Sequence, residues 1–207
     1  MVNRKDSLIL ASGGVDSLVA MAQTIAERQE VRLLFVDYGQ ANVVREREAV
    51  RQWRSYPKVL SLEEYSMYLP VEKREYVDPV DSFYKIPWRN LMLIAIAAVH
   101  AHLRQCIKIT VGVHKGDCPE YYDCRPEFFA AVDQALVLGD EKGLGLCLPN
   151  GALTKSEVVA RGIELGVDFS KTWTCYTAGP KPCGSCAACA GRKIAFSNNK
   201  IEDPLYL

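Results

Sequence analysis

A Rossmann-like, doubly wound parallel α/β sheet is the fold this sequence predicts, on three observations. Short apolar runs alternate along the chain with amphipathic stretches of helical period. The runs lack strict in-out alternation, as in Val31-Arg-Leu-Leu-Phe-Val36, which suits parallel strands covered on both faces. A glycine turn, Gly13-Gly14, joins the first run to the first amphipathic stretch, and open parallel sheets place their ligand sites outside the strand C-terminal ends.

Taken in order, the periodicity predicts a strand at 8–11, a helix at about 16–28, a strand at 31–36, a helix at about 43–53 and a strand at 58–62. A stretch rich in Tyr, Pro and charge then breaks the pattern from Glu63 to Pro87. It resumes with a helix at about 90–103, a strand at 107–112 and a long loop to Arg125. A helix at about 126–138, a short strand near 146–148 and a helix at about 155–165 follow. Residues 1–170 are therefore expected to form one domain that binds nucleotide and substrate, with a cysteine-bearing segment, 171–207, packed upon it.

The 207 residues carry 25 Lys and Arg against 25 Asp and Glu, so no broad basic field favours a nucleic-acid partner. The longest apolar stretch, Leu91 to Val99, is too short to span a bilayer. The N-terminus, Met1 to Asp6, is polar and leads straight into the first strand, so a cytoplasmic location is expected.

Ser12-Gly13-Gly14-Val15-Asp16-Ser17 is the most informative string. Two glycines let the backbone turn its N–H groups towards an anion, Ser12 and Ser17 add hydroxyls, and the next helix brings a positive dipole end. It resembles the PP-loop of ATP pyrophosphatases, which cleave ATP between the α- and β-phosphates, and lacks the Gly-Lys-Ser/Thr ending of a Walker loop. The plainer reading is a turn into a helix capped by Asp16.

Eight cysteines are unevenly spread. Cys106, Cys118, Cys124 and Cys147 are scattered, whereas Cys175, Cys183, Cys186 and Cys189 form Cys-x7-Cys-x2-Cys-x2-Cys in a Gly- and Pro-containing loop. Four soft ligands on two tight Cys-x2-Cys steps favour tetrahedral Zn2+ in a closed, structural site that folds the tail. Spacing alone excludes neither iron–sulfur ligation nor disulfides.

Together these pieces resemble the 7-cyano-7-deazaguanine synthase family over nearly the whole chain. The matching segments are the Ser12–Ser17 string, Asp37-Tyr-Gly-Gln40, Pro87-Trp-Arg-Asn90, Gly112 through Asp117, Tyr121-Tyr-Asp-Cys-Arg125 with Phe128, Lys155-Ser-Glu157, and Thr174-Cys-Tyr176 with the cysteine knuckle. The resemblance implies an adenine nucleotide alpha hydrolase-like fold and a homodimer. It also implies an enzyme that uses ATP and Mg2+ to adenylate the carboxylate of 7-carboxy-7-deazaguanine, amidates it with ammonia and dehydrates the amide to a nitrile.

By resemblance Ser12, Gly13, Gly14, Asp16 and Ser17 hold the phosphate end of ATP. Arg89 and Lys155 are the candidate cations, and Asn90 helps position the nucleotide. Asp117, Tyr121, Asp123 and Arg125 lie at the deazaguanine end, where carboxylates accept from base N–H groups and rings stack. The plainer readings are a surface Asp123–Arg125 ion pair, packing tyrosines, a helix entry at Arg89-Asn90 and a solvated Lys155. His100 and His102 read as capping or packing groups, and His114 as a residue entering the substrate loop.

Where the family commonly has glycine this chain has Trp88, and it has Ala41 and Asn42 in place of a basic residue and histidine, and His114 in place of cysteine. Tryptophan for glycine is expected to reshape a pocket wall or to accompany a different turn. These departures keep three other functions in view. One is a relative that stops at the amide or joins deazaguanine to a protein amine in antiviral defence. The others are a PP-loop tRNA-modifying enzyme and a noncatalytic nucleotide-binding module.

Overall fold

The structure, a computed structural model, describes residues 6–69, 86–117, 121–177 and 179–206. Its strands are β1 (Ser7–Leu10), β2 (Val31–Asp37), β3 (Val59–Ser66), β4 (Lys108–Thr110) and β5 (Gly145–Cys147), all parallel in the order β3-β2-β1-β4-β5. Its helices are α1 (Val15–Ala26), α2 (Val43–Trp53), α3 (Arg89–Leu103), α4 (Pro126–Gly139), α5 (Lys155–Glu164) and α6 (Ala187–Asn198).

The absence of hydrophobic alternation is explained by burial on both faces. Ile9, Leu33 and Phe35 enter a core with α1, α2, α5 and α6, whereas Leu8, Leu34 and Val36 meet α3 and α4 on the opposite side. The chain runs outward from β1 to β3 and then crosses to place β4 on the other side of β1. That reversal lies between β1 and β4, where an open α/β sheet has its crevice.

Three boundaries differ from the sequence expectation. β3 continues through Ser66 into the expected break, because it pairs with β2 as far as Asp37↔Ser66. Its polar face made it read as loop: Glu63 and Glu64 are spent on ion pairs with Arg104 and Arg51. β4 is only three residues long, because the chain must leave the sheet at Gly112 to pass against α1. The third difference is α6, a helix after the cysteine knuckle that the periodicity does not predict. The remainder of the expected break, 70–85, and Cys118 lie outside the described residues.

Residues 171–177 and 179–206 pack against the sheet and its helices. Arg192 of α6 is fully buried and spends its guanidinium on Asp203 (2.7 and 2.8 Å), Thr172 (2.7 Å), Thr174 (2.9 Å) and the Phe169 carbonyl (3.3 Å). Trp53 of α2 donates to the Lys171 carbonyl at 2.7 Å. Among the described residues no helix is long and apolar enough to cross a membrane.

Candidate functional site

The turn between β1 and α1 is built so that no larger residue fits. Gly13 has φ +78°, and a Cβ there would stand 2.7 Å from the Glu46 carbonyl oxygen of α2. From the other side, a Cβ on Gly112 would stand 2.5 Å from the Ser17 nitrogen. The two glycines thus let α2 and the end of β4 press on the loop. Within it the Ser12 and Ser17 hydroxyls lie 2.9 Å apart, and the Ser12 and Gly14 N–H groups donate to Ser17 Oγ and Ser12 Oγ. Gly14 is the N-cap of α1 without a side-chain cap, so the N–H groups of the first turn are left for an anion.

Four ionisable groups from distant parts of the chain converge behind this loop. Lys155, first residue of α5, donates from Nζ to Asp16 Oδ2 in the first turn of α1. A Thr154–Glu157 capping box fixes that helix start, which aims Lys155 at the loop. His114 Nε2 lies 4.0 Å from Asp16 Oδ1 and 3.6 Å from Asp117 Oδ1. Asn150 Nδ2 donates to the Asp16 carbonyl at 2.8 Å and is itself oriented by Gln23. Burial pushes the Asp117 carboxyl above its ordinary range, His114 pulls it down, and the Asp16 charge adds to the rise.

Asp16 Oδ1 is buried and has no hydrogen-bond partner. A hard anionic oxygen left unused beside a second carboxylate fits the donor preference of Mg2+, so Asp16 and Asp117 are the residues suited to holding that ion.

Arg89 begins α3 on the other side of the crevice. Tyr38 first, then Tyr176, Tyr121 and Asp123, hold its guanidinium charged above the usual arginine value. Burial raises the Tyr38 hydroxyl, and Arg89 pulls it back down. Asn90 is committed to the neighbouring turn: its backbone N–H donates to Asp123 Oδ2 at 3.1 Å, and Nδ2 donates to the Asp123 carbonyl at 2.9 Å and approaches Cys124 Sγ at 3.3 Å. Arg125 lies over the exposed Tyr122 ring, 4.1 Å from its centroid. The predicted residues thus fall into two groups, Asp16, Ser17, Asp117 and Lys155 at the loop, and Arg89, Asn90, Tyr121 and Asp123 opposite, with Arg125 at the surface.

The departures from the family pattern have structural counterparts. Asn42 is buried and bridges α2 to the knuckle, donating from Nδ2 to the Cys175 carbonyl at 2.8 Å and to Glu46 at 3.0 Å. Trp88 keeps a glycine-like backbone at φ 60° and leaves its side chain 66% exposed. His100 and His102, read as capping or packing groups, instead pair with the Glu63 and Asp140 carboxylates. Tyr121 is among the residues singled out from the sequence, whereas Tyr38 and Tyr176, which act on the same Arg89 charge, lie on separate segments and receive no role there.

The ligand atoms of Cys175, Cys183, Cys186 and Cys189 all lie within 4.8 Å of one another. Tetrahedral zinc with bonds of about 2.3 Å requires sulfurs about 3.8 Å apart, so this set fits Zn2+ with small adjustments. Cys186 is the N-cap residue of α6 and Cys189 lies in its first turn, where burial pushes the Cys189 thiol up to about 12. The Cys186 N–H donates to Cys183 Sγ at 3.3 Å, and bonds of this kind hold the Cys183 thiol down to about 6.

Comparison with known proteins places this geometry. The family model of the queuosine biosynthesis protein QueC matches residues 6–200. The chain is 33% identical to the 7-cyano-7-deazaguanine synthase of Thermoplasma acidophilum, over 99% of this chain and 92% of that protein. It is similar in fold to the U34-tRNA thiolase NcsA from Methanococcus maripaludis with its [4Fe-4S] cluster, at TM-score 0.54 and 15% identity, covering 99% of this chain and 70% of the other. A 4-thiouridine synthetase in complex with RNA and bound ATP is likewise similar, at TM-score 0.55 and 17% identity, covering 93% of this chain and 53% of the other.

Proposed function

The chain belongs to the QueC family of queuosine biosynthesis proteins, and on that premise we propose that it is an ATP-dependent ligase converting 7-carboxy-7-deazaguanine to 7-cyano-7-deazaguanine. The observation that carries this reading is the meeting of Asp16, Lys155, His114 and Asp117 behind an uncapped, glycine-built helix start at the switch point of the sheet.

A carboxylate resists attack by ammonia because its charge repels the nucleophile and oxide is a poor leaving group. In the proposed first step the substrate carboxylate oxygen attacks the α-phosphorus of ATP, and the bond to the β-phosphate bridging oxygen breaks. This yields an acyl adenylate and pyrophosphate. Ammonia then displaces AMP to give the amide with loss of a proton. A second ATP activates the amide oxygen in the same way, and loss of AMP and a proton leaves the nitrile.

We assign pyrophosphate to the N–H groups and hydroxyls of Ser12, Gly13, Gly14 and Ser17, where the bonds that Ser12, Gly14 and Ser17 make within the loop are exchanged for bonds to the anion. Lys155 supplies positive charge beside them, and Arg89 faces the carboxylate across the crevice. Mg2+, held by Asp16 and Asp117, would neutralise phosphate charge. Asp117 and the turn from Tyr121 through Asp123 to Arg125 border the deazaguanine end. Zinc on Cys175, Cys183, Cys186 and Cys189 is structural.

The test is incubation with 7-carboxy-7-deazaguanine, ATP, Mg2+ and ammonium, followed by mass spectrometry of products. The expected result is the nitrile with two AMP per nitrile. Accumulation of amide alone would remove the second activation from the proposal, and absence of acid-dependent AMP would overturn it.

A further inference from the structure

A cavity of about 620 Å3 opens beside the C-terminal ends of β4 and β5, under α4. Its volume falls within the range of small-molecule sites, about 300–1,000 Å3. Val113, Phe129, Leu146 and Leu148 make its apolar walls, and His114 and Asp133 are among its few polar groups.

Two geometric facts restrict the occupant. Asp133 Oδ1 accepts the Leu146 N–H at 2.6 Å, which fixes the carboxylate on the cavity wall. An ionised carboxylate has about four acceptor sites. Asp133 is half-buried, so one N–H leaves acceptor sites of its carboxylate available at the cavity wall, where a ligand with adjacent N–H donors is the matching partner. His114 is the second constraint. Its Nδ1 accepts the Gly116 N–H at 3.0 Å, which fixes the ring with Nε2 towards the loop, 4.0 Å from Asp16 Oδ1. His114 is thus a wall shared by the cavity and the phosphate-facing cluster.

A guanine-type ring presents N1–H and a 2-amino group side by side, which suits one carboxylate. Adenine presents one N–H donor beside the N1 lone pair, which a carboxylate repels. We propose that this cavity holds the guanine-type ring of the substrate and that Asp133 determines specificity by reading its N1–H and 2-amino edge. The assignment presupposes the deazaguanine reading and narrows it. The far ring, with its 7-carboxylate, then lies towards His114 and the Asp16–Lys155 pair. Cys124, next to Asp123, closes part of the same wall.

Titration calorimetry with 7-carboxy-7-deazaguanine, its analogue lacking the 2-amino group, and ATP tests this, alongside pyrophosphate release. Wild type should bind the acid at least about tenfold tighter than the analogue, a difference of one well-placed hydrogen bond to charge. Asp133→Asn should abolish that preference. Ala152→Phe, which takes up cavity volume and leaves the Asp133 carboxylate in place, should weaken both acids by about tenfold or more.

ATP affinity should stay within about twofold in each variant. Weakened ATP binding in the variants would make this an adenine pocket and overturn the assignment, as would a 2-amino preference that survives Asp133→Asn. Selective acid binding by wild type without pyrophosphate release would leave the pocket standing and remove the ligase reading. Acid-dependent pyrophosphate release with unchanged acid affinity in both variants would do the reverse, and failure of wild type to bind the acid would defeat both.

Discussion

Trp88 holds the left-handed backbone region, φ 60°, at the N-cap of α3, a conformation that costs an ordinary L-residue about 1–2 kcal/mol and glycine almost nothing. The sequence expectation was a reshaped wall or a new turn. Instead the chain keeps the turn that glycine makes and sends the ring outward, 66% exposed. Trp88→Gly should therefore unfold within about 1 kcal/mol of wild type, because strain relief is offset by the greater freedom of unfolded glycine. Trp88→Val should lose about 1–2 kcal/mol, since a β-branched residue is strained in that region. Urea unfolding of the pair checks this, and a heavily destabilised glycine variant would show that the ring is packed. At this scale the loop residues were legible because their chemistry is local. The Asp16–Lys155 contact was not, since its two residues lie 139 positions apart.

Elements were legible where both faces are buried or one face is, since period then reports burial, as in α2 at Val43–Trp53. β3 failed that reading through Glu63, whose partners belong to α3. Burial presses the Glu63 pKa up, but hydrogen bonds from His100 (2.8 Å) and Arg104 (2.5 Å) outweigh it and hold it below its ordinary 4.5. A carboxylate with a depressed folded pKa contributes stability that is present above its unfolded pKa and is lost as pH falls through the folded value. Glu63→Gln should therefore flatten the acid limb of the stability profile below about pH 4.5, while costing less than about 1 kcal/mol at neutral pH. Chemical unfolding across that range reads the slope, and an unchanged acid limb would refute the link.

The packing of α5 on α1 gives a sharper element-scale expectation. A Cβ on Gly162 would stand 2.4 Å from Phe169 Cζ and 2.9 Å from Val19 Cγ2. Alanine gains about 1 kcal/mol of helix propensity, but overpacking a closed core costs about 1–3 kcal/mol. Gly162→Ala should lower the urea midpoint at unchanged slope. A stabilised variant would mean that Phe169 is free to move aside.

For the molecule as a whole, the unexpected element is α6, and the segment before it, Trp173 to Cys175, joins the knuckle to the Ser12–Ser17 loop. Trp173 donates its backbone N–H to the Gly13 carbonyl at 2.8 Å, and two residues later Cys175 receives Asn42 at its carbonyl. Ala49, Trp173, Cys175 and Cys189 form one buried cluster with Leu205 against it. The cysteine pattern hid this element, because Cys183-Gly-Ser-Cys186 reads as a metal-binding loop and draws the alanine-rich run after it into the same segment. Metal binding at such a site is coupled to folding of the segment that supplies the ligands. Cys186→Ser should therefore lose zinc, lower the thermal midpoint and expose the segment after Cys175 to protease, while circular dichroism still reports the sheet. Because Gly13 loses the support of Trp173 in that state, ATP binding should weaken by about tenfold as well. Arg192→Met supplies the control: removing a buried, fully bonded guanidinium should cost about 3–5 kcal/mol, yet all four thiols remain and zinc should be retained. If Cys186→Ser keeps a full complement of zinc, the four-thiolate site is wrong. If it loses zinc and binds ATP as wild type does, the knuckle folds the tail without steadying the loop.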